Sequence, residues 1–442
     1  MSAKGDEVIL EPLAGGNAPD SKSSKSQAWW QRLSAGFVTG AADDDPSGVA
    51  TYSQVGARFG YALLWIVFLT IPLMIAIQMI SARVGRVTGR GLADNLSRSF
   101  PRPAVWSLVF LLVVANVINI AADIAAMGAA LQLLVGGSAV AFGVVLALIS
   151  TGLQVFVPFA KYSPYLKLLA LSLFSYVATA FVVKVPWGEV MKSTLLPHLQ
   201  WNVAYLTAIV AVLGTTISPY LFCWQAAQEV EEIRESDERE PLKHADAQAP
   251  DALKRIAIDT SVGMIFSNLV AFFMIVTAAA VLHAHGKTDI QSTAEAAQAL
   301  KPAAGRFAFS LFSLGIISTG MLAVPVLAGA TAFAVAGTLH APYGLAHKPR
   351  DAKVFYGVLV AAMAAGVALI FTPIDPIKAL YWSAVVNGVC AVPLMAAIMI
   401  VASRAQTMGN HVVNGWLRRF GWLATVVMGA AAIVMFATLG KG

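Results

Sequence analysis

Apolar stretches long enough to cross a bilayer as a helix, about 20 residues each, follow one another along almost the whole chain. They run approximately over 33–59, 61–84, 103–135, 138–159, 163–185, 202–233, 255–284, 305–338, 353–373, 377–403 and 417–438. The connections between them are too short for a soluble domain. The expected fold is therefore an all-α polytopic membrane protein with about 11 transmembrane helices. Composition agrees: 58% of residues are hydrophobic and 12% charged, where an average soluble protein has about 25% charged. A soluble enzyme with an added anchor is excluded.

The connections carry the charge. With the N-terminus in the cytosol, roughly 22 of the Lys and Arg residues fall inside and about 8 outside, the bias that topology requires. The C-terminus then lies outside, and the expected location is the plasma (inner) membrane. The net charge of +6 serves this topology, and no nucleic-acid partner is expected. Residues 1–28 are polar and lack the apolar core of a signal peptide. They read as a disordered cytoplasmic tail, with Trp29 and Trp30 as an interfacial anchor. Cys223 and Cys390 sit in apolar stretches, so no disulfide is expected. No haem or zinc spacing calls for a cofactor.

Two of the stretches are broken. The first is interrupted at "DDDPSG" (Asp43 to Gly48) and the sixth at "GTTISPY" (Gly214 to Tyr220). Proline removes a helical donor and clashes one turn back. At membrane depth the freed backbone groups are tolerated only where they line a cavity or bind something. Each break opens a group of five stretches, 29–185 and 202–403, with 417–438 left over as an eleventh helix. Five is odd, so the second group runs inverted relative to the first. Paired breaks in corresponding positions point to an inverted-repeat transporter with a site near the midplane.

A charge at that depth costs at least about 2.5–3.5 kcal/mol, so clustered carboxylates need protons or a cation. Asp45, directly before the proline, reads as the cation site. Asp43 and Asp44 either join it, cap the following half-helix or face a vestibule.

These residues resemble the NRAMP family of divalent-metal transporters, whose first helix carries Asp-Pro-Gly-Asn and then a run ending Gln-x-Gly-Ala. The corresponding run is "DPSGVATYSQVGA", Asp45 to Ala57. The family's Gly-Ala-Thr-x-Met-Pro-His in the sixth helix is similar to "GTTISPY", and "AADIAAMGAALQLLVG" is similar to its third helix. The resemblance implies a LeuT-type inverted repeat of 5+5 helices with helices 1 and 6 broken. It implies a metal site at Asp45, Asp44, Thr215, Thr216 and Ser218. Asn387, on the tenth stretch, either joins that site or simply bonds a neighbouring helix.

The departures matter as much. Ser47 and Gly48 replace the family's glycine and asparagine, Ser218 its methionine, Tyr220 its histidine and Ala126 a third-helix glutamate, while Asp123 keeps an aspartate. Thioether favours soft metals and oxygen favours hard ones. An oxygen-only site with small neighbours suits Mg²⁺, which keeps several waters, or Mn²⁺ treated as a hard ion. By the same resemblance, Tyr220 and Ala126 stand where coupled members pass protons. Tyrosine has a reference pKa of about 10 and alanine does not titrate. The expectation is Mg²⁺ or Mn²⁺ transport by alternating access without proton coupling, similar to the NRAMP-related magnesium transporter branch. Asp123 is either a lone proton site or a structural aspartate, and Gln225 faces either the inner pathway or the core.

The alternatives are a proton-coupled Mn²⁺/Fe²⁺ carrier and a sodium-coupled organic solute carrier. An intramembrane aspartyl protease lacks its Gly-x-Gly-Asp context, so no enzyme is expected. The divalent ion is substrate, the lipid bilayer the one other partner, and a monomer the expected state. Asn268 reads as a helix-bonding amide, and the charged run Arg234 to Arg255 as a solvated loop extending the sixth helix. His283 and His285 complete no metal site. A short outer surface helix is expected after Ser292 or Thr293.

Overall fold

The computed structural model describes residues 40, 42–157, 161, 165, 168, 171–236, 238–290, 292–373 and 375–439, in places without side chains. The polar segment 1–28 and the pair Trp29-Trp30 lie outside the described residues.

Helices account for nearly all of the regular structure. We label the main ones α1 (Pro46–Phe59), α2 (Leu64–Thr88), α3 (Leu92–Ser99), α4 (Arg102–Val135), α5 (Ala139–Phe156), α6 (Phe174–Val182), α7 (Trp187–Leu195) and α8 (Val203–Thr216). They continue as α9 (Pro219–Arg234), α10 (Ala249–Val281), α11 (Thr293–Ala297), α12 (Ala308–Thr338), α13 (Lys353–Leu369), α14 (Pro376–Ala402) and α15 (Gly415–Leu439).

Among the described residues, eight helices are long and apolar enough to cross a membrane, α8 and α9 counting together. A ninth span forms if 171–182 and α7, bent by 117°, are taken as one. The two other apolar stretches have separate reasons for falling short. The first is cut by its break, so that α1 has only 14 residues, and 33–39 lie outside the described residues. The second, 353–373, yields the 17-residue α13, because helix gives way to a turn at Ile370.

The most enclosed span is α8–α9, buried along its whole apolar window, whereas α5 is buried over only 22% of its window. That contrast places the sixth stretch at the centre and α5 at the lipid boundary. Around the centre, α1 packs on α10 and α14, and α4 packs on α12 and α14. The tightest seam joins α8 to α14. A Cβ on Gly214 would lie 2.0 Å from Ala384 O and 2.4 Å from Gly388 N. Backbones meet there directly, so no larger residue fits at 214.

Most of the described residues of the charged run 234–255 are exposed, as expected of a solvated loop, but the run is tied to the bundle at specific points. Leu242 N and Lys243 N donate to Arg86 O and Val87 O at the end of α2, at 3.2 and 3.1 Å. Arg255 pairs with Glu229 at 2.5 Å and Glu232 at 3.1 Å, and Glu232 with Arg239 at 2.6 Å. Glu229 is buried, so removing Arg255 would strand a charge. The helix expected after Ser292 is α11, capped by the Ser292 hydroxyl on Glu295 N at 3.2 Å, but it is no surface helix, since Thr293, Ala296 and Ala297 are buried.

Candidate functional site

The break before α1 is built by helix-end chemistry. Asp45 has extended backbone (φ −66°, ψ 170°), Pro46 opens the helix, and the Asp45 carboxylate accepts from Gly48 N at 2.8 Å. Aspartate at the N-cap and proline at the first helical position are the residues that such an end prefers. The Ser47 hydroxyl donates to the same oxygen, Oδ1, at 2.6 Å. The cap is therefore Asp45 itself, and not Asp43 or Asp44.

The other oxygen of Asp45 looks away from α1. Asn119 Nδ2 on α4 donates to Oδ2 at 3.0 Å. Tyr220 Oη on α9 lies 3.4 Å from Oδ2 and 3.1 Å from Ala42 O, with one proton for the two. Asn119 is held in turn by Ser383 of α14, whose hydroxyl donates to Asn119 Oδ1 at 2.7 Å. One carboxylate thus gathers α1, α4, α9 and α14. It is 2% exposed. Each charge-assisted bond contributes about 1.5–3 kcal/mol, which offsets the cost of holding the group at depth.

Asp43 and Asp44 turn elsewhere. Ser267 Oγ on α10 lies 2.6 Å from Asp43 Oδ2 and 3.2 Å from Asp44 Oδ1. Asp43 Oδ1 has no partner among the described residues. Asp43 and Asp44 therefore share one hydroxyl on α10 while Asp45 turns to α4 and α9, although the three are consecutive. Among the described residues, no three His, Cys, Asp or Glu side chains converge as a metal cluster.

The second break has neutral oxygens. Helix α8 ends at Thr216 and α9 starts at Pro219. Ser218 caps nothing in α9; its hydroxyl turns back to Thr215 O at 2.9 Å and Gly214 O at 3.0 Å. Thr216 Oγ1 donates to Val212 O at 2.6 Å and meets Tyr52 Oη of α1 at 3.1 Å. Thr215 Oγ1 lies 3.5 Å from Ser47 Oγ, which joins the two breaks side chain to side chain. A Cβ on Gly48 would sit 3.3 Å from that same Thr215 oxygen. The C-terminal end of α8 adds the partial negative charge of its carbonyls.

Asn387 and Asp123 are fully buried. Neither amide atom of Asn387 and neither carboxylate oxygen of Asp123 has a partner among the described residues. Asn387 adjoins Gly388, where α14 touches α8. Ala126 is buried on α4, and Gln225 is buried on α9, five residues beyond Tyr220. The structure thus brings Asp45, Thr215, Ser218 and Tyr220 to the two breaks. It directs Asp44 to α10 and leaves Asp123 and Asn387 beside this set without a bond to it.

Sequence reasoning missed Asn119, Ser267, Ser383 and Tyr52. For Asn119 a signal exists: Asn116, Asn119 and Asp123 are spaced to share one face of an otherwise apolar helix. Asn268 behaves as expected, bridging α10 to α2 through Thr70 Oγ1 at 3.1 Å and Met74 Sδ at 3.2 Å. His283 Nδ1 lies 2.8 Å from Ala57 O.

Comparison with known proteins gives this arrangement relatives. The family model described as natural resistance-associated macrophage protein-like, Nramp, matches residues 36–438. The divalent metal cation transporter MntH of Pectobacterium carotovorum is 28% identical over 402 residues, covering 89% of this chain and 90% of that protein. The MntH of Klebsiella pneumoniae (strain 342) is 27% identical over 401 residues, with the same coverage. A crystal structure of the Eremococcus coleocola manganese transporter matches with a TM-score of 0.71 at 18% identity, covering 96% of this chain and 89% of that one. Mhp1, a nucleobase-cation-symport-1 family transporter in a closed conformation, matches at 0.59 and 15% identity, covering 92% and 93%. At those identities the two structures show the fold alone: the LeuT-type inverted repeat.

Proposed function

The chain belongs to the Nramp family, and from that premise we propose that it moves divalent cations across the membrane by alternating access. The preferred ions are Mg²⁺ and Mn²⁺, and no protons are exchanged. The observation that carries the reading is Asp45: a buried carboxylate at the break of α1, facing the hydroxyl-lined break between α8 and α9.

The ion's ligands are oxygens. Asp45 supplies the charge, with Asp44 able to join it by turning from Ser267. Thr215, Thr216 and Ser218 supply neutral dipoles, and Asn387 an amide whose two polar atoms have no partner among the described residues. With one carboxylate directed at the second break, the ion keeps waters, as Mg²⁺ does. The Ser218 hydroxyl on Thr215 O stands where a thioether would select softer metals. Three consecutive carboxylates favour a small, highly charged ion over an organic solute.

Lack of proton coupling is supported by Tyr220 and Ala126. The tyrosine hydroxyl is engaged with Ala42 O and Asp45, and a buried methyl at 126 carries no proton. A second reading, proton-coupled Mn²⁺ transport, is favoured by Asp123, whose two oxygens are unpartnered among the described residues. The positive-inside bias supports a cytosolic N-terminus and an external C-terminus.

Proteoliposomes with a lumenal pH dye test both readings. Uptake of Mg²⁺ and Mn²⁺ without acidification, lost in Asp45→Ala, supports the uncoupled carrier. Mn²⁺ uptake that acidifies the lumen while Mg²⁺ is excluded would favour the second reading; if Asp123→Asn then abolished the acidification, Asp123 would be the proton site.

A further inference from the structure

At the end of the bundle where α2 stops, Arg90, Arg98, Lys243, His244 and Arg404 line one cavity of about 400 Å³, and no carboxylate lines it. Four cationic groups, Arg90, Arg98, Lys243 and Arg404, repel one another around one space, and little on the protein offsets them. Asp94, outside the lining, takes Arg98 Nε at 2.9 Å, Arg90 Nε at 3.9 Å and His340 Nδ1 at 2.9 Å. A single carboxylate therefore answers three basic groups. Lys243 Nζ donates to Gln406 O at 2.9 Å, and Arg404 Nη1 to Ser99 O at 2.8 Å. Those acceptors are neutral. Both Nη groups of Arg98, with Nε and Nη2 of Arg404, have no hydrogen-bond partner among the described residues.

The walls are built rather than accidental. The strap Pro241–His244 is fixed to α2 by the backbone bonds of Leu242 and Lys243. Gly89, at φ +63°, lets Pro241 close over the corner; a Cβ there would meet it at 2.6 Å. Asn95 Nδ2, buried, lies 2.9 Å from Thr88 Oγ1 and 3.0 Å from both Arg90 O and Gly91 O, two protons shared among the three. These bonds set the positions from which Arg90 and Arg98 project.

A planar guanidinium presents paired donors that match a phosphate, and lysine adds a point charge. Basic pockets between helices on the cytoplasmic side of membrane proteins bind phosphate-bearing headgroups. The volume is within the range of small-molecule sites, about 300–1,000 Å³. We propose that this cavity binds a phosphate group, carried either by an anionic lipid headgroup or by a soluble phosphate compound. The site joins the α2–α3 corner, the strap after α9 and the segment after α14, so its ligand ties three connections together. The proposal does not depend on which ion the chain carries.

The test uses the full chain in phosphatidylcholine nanodiscs, titrated with inorganic phosphate and with pyrophosphate at fixed ionic strength. Parallel nanodiscs contain phosphatidic acid. Binding is read by thermal unfolding and by native mass spectrometry. At least one probe should bind the wild type, and Lys243→Gln with Arg404→Gln should weaken it at least about tenfold. Arg418→Gln with Arg419→Gln, on the same end but outside the cavity, should change it less than about twofold, and Arg404→Lys should retain most of it. Response to phosphatidic acid alone identifies a lipid headgroup, and response to phosphate or pyrophosphate alone a soluble ligand. If the double variant does not fold, Arg98→Gln carries the same tenfold expectation. Failure of every probe on the wild type, or equal binding by the cavity variants, overturns the proposal.

Discussion

The break before α1 and the break between α8 and α9 share a frame: a proline opens the second half, and the residue before it carries a side-chain oxygen. They differ in which half that oxygen serves. Asp45, an acceptor only, satisfies the N–H of Gly48 in the helix that follows. Ser218 has a proton to give and turns back to the carbonyls of Gly214 and Thr215 in the helix that precedes. The first break therefore keeps a charged oxygen facing the bundle centre, and the second offers neutral dipoles with their protons already spent. Two symmetric interruptions of the backbone have become one charged wall and one polar wall.

The comparison breaks if the two walls prove equivalent. Asp45→Ala should reduce divalent-cation uptake at least about 100-fold in proteoliposomes, while Ser218→Ala should stay within about fivefold, the weight of one neutral hydrogen bond. Equal losses would mean that charge and dipole contribute alike. Asn119→Ala comes next. It removes the α4 partner of Asp45 Oδ2 and leaves the Ser383 hydroxyl only its bond to Leu380 O within α14, so apparent cation affinity should weaken by about tenfold and the unfolding midpoint should fall. Ser218→Met, a softer donor at the second break, should shift competition between Mn²⁺ and Mg²⁺ toward Mn²⁺ by several-fold, measured as paired uptake from mixtures. The smallest effect is expected for Ser267→Ala. Its hydroxyl holds Asp43 and Asp44 on the α10 side, so uptake should change by less than about threefold. A loss as large as that of Asp45→Ala would return those two carboxylates to the ion.

Both walls were legible in the sequence, because a proline inside an apolar stretch has few tolerated meanings at membrane depth. So were the helical class and the paired halves. The direction in which each carboxylate points was not. Asp43, Asp44 and Asp45 are adjacent in the chain, but the first two meet Ser267 and the third meets Asn119, partners that lie more than 70 residues away. Partners of that kind belong to tertiary packing, which hydropathy does not encode. Asp123 stands out in the sequence, and Asn116 and Asn119 share its helix face, but spacing alone cannot tell an amide that holds Asp45 from one that bonds a neighbouring helix, as Asn116 does with Thr331. The charged run after α9 reads as solvated and is mostly exposed, but composition cannot show that Arg255 at its end reaches back to the buried Glu229 of α9.

The meeting of Gly214 with Ala384 and Gly388 bears on how such a molecule changes shape. Where two helices touch through side chains, rotamers can yield and one helix can slip past the other. Here main chain rests on main chain, with a gap smaller than a methyl group. At Gly214 itself no rotamer lies between the two backbones, although Val210 packs its side chain on Gly388 one turn away. At this contact α8 and α14 therefore have no compliant layer between them, so a tilt of one is expected to carry the other. Ser383 and Asn387 ride on α14, so the grip on Asn119, and through it on Asp45, is set by the stroke of that helix.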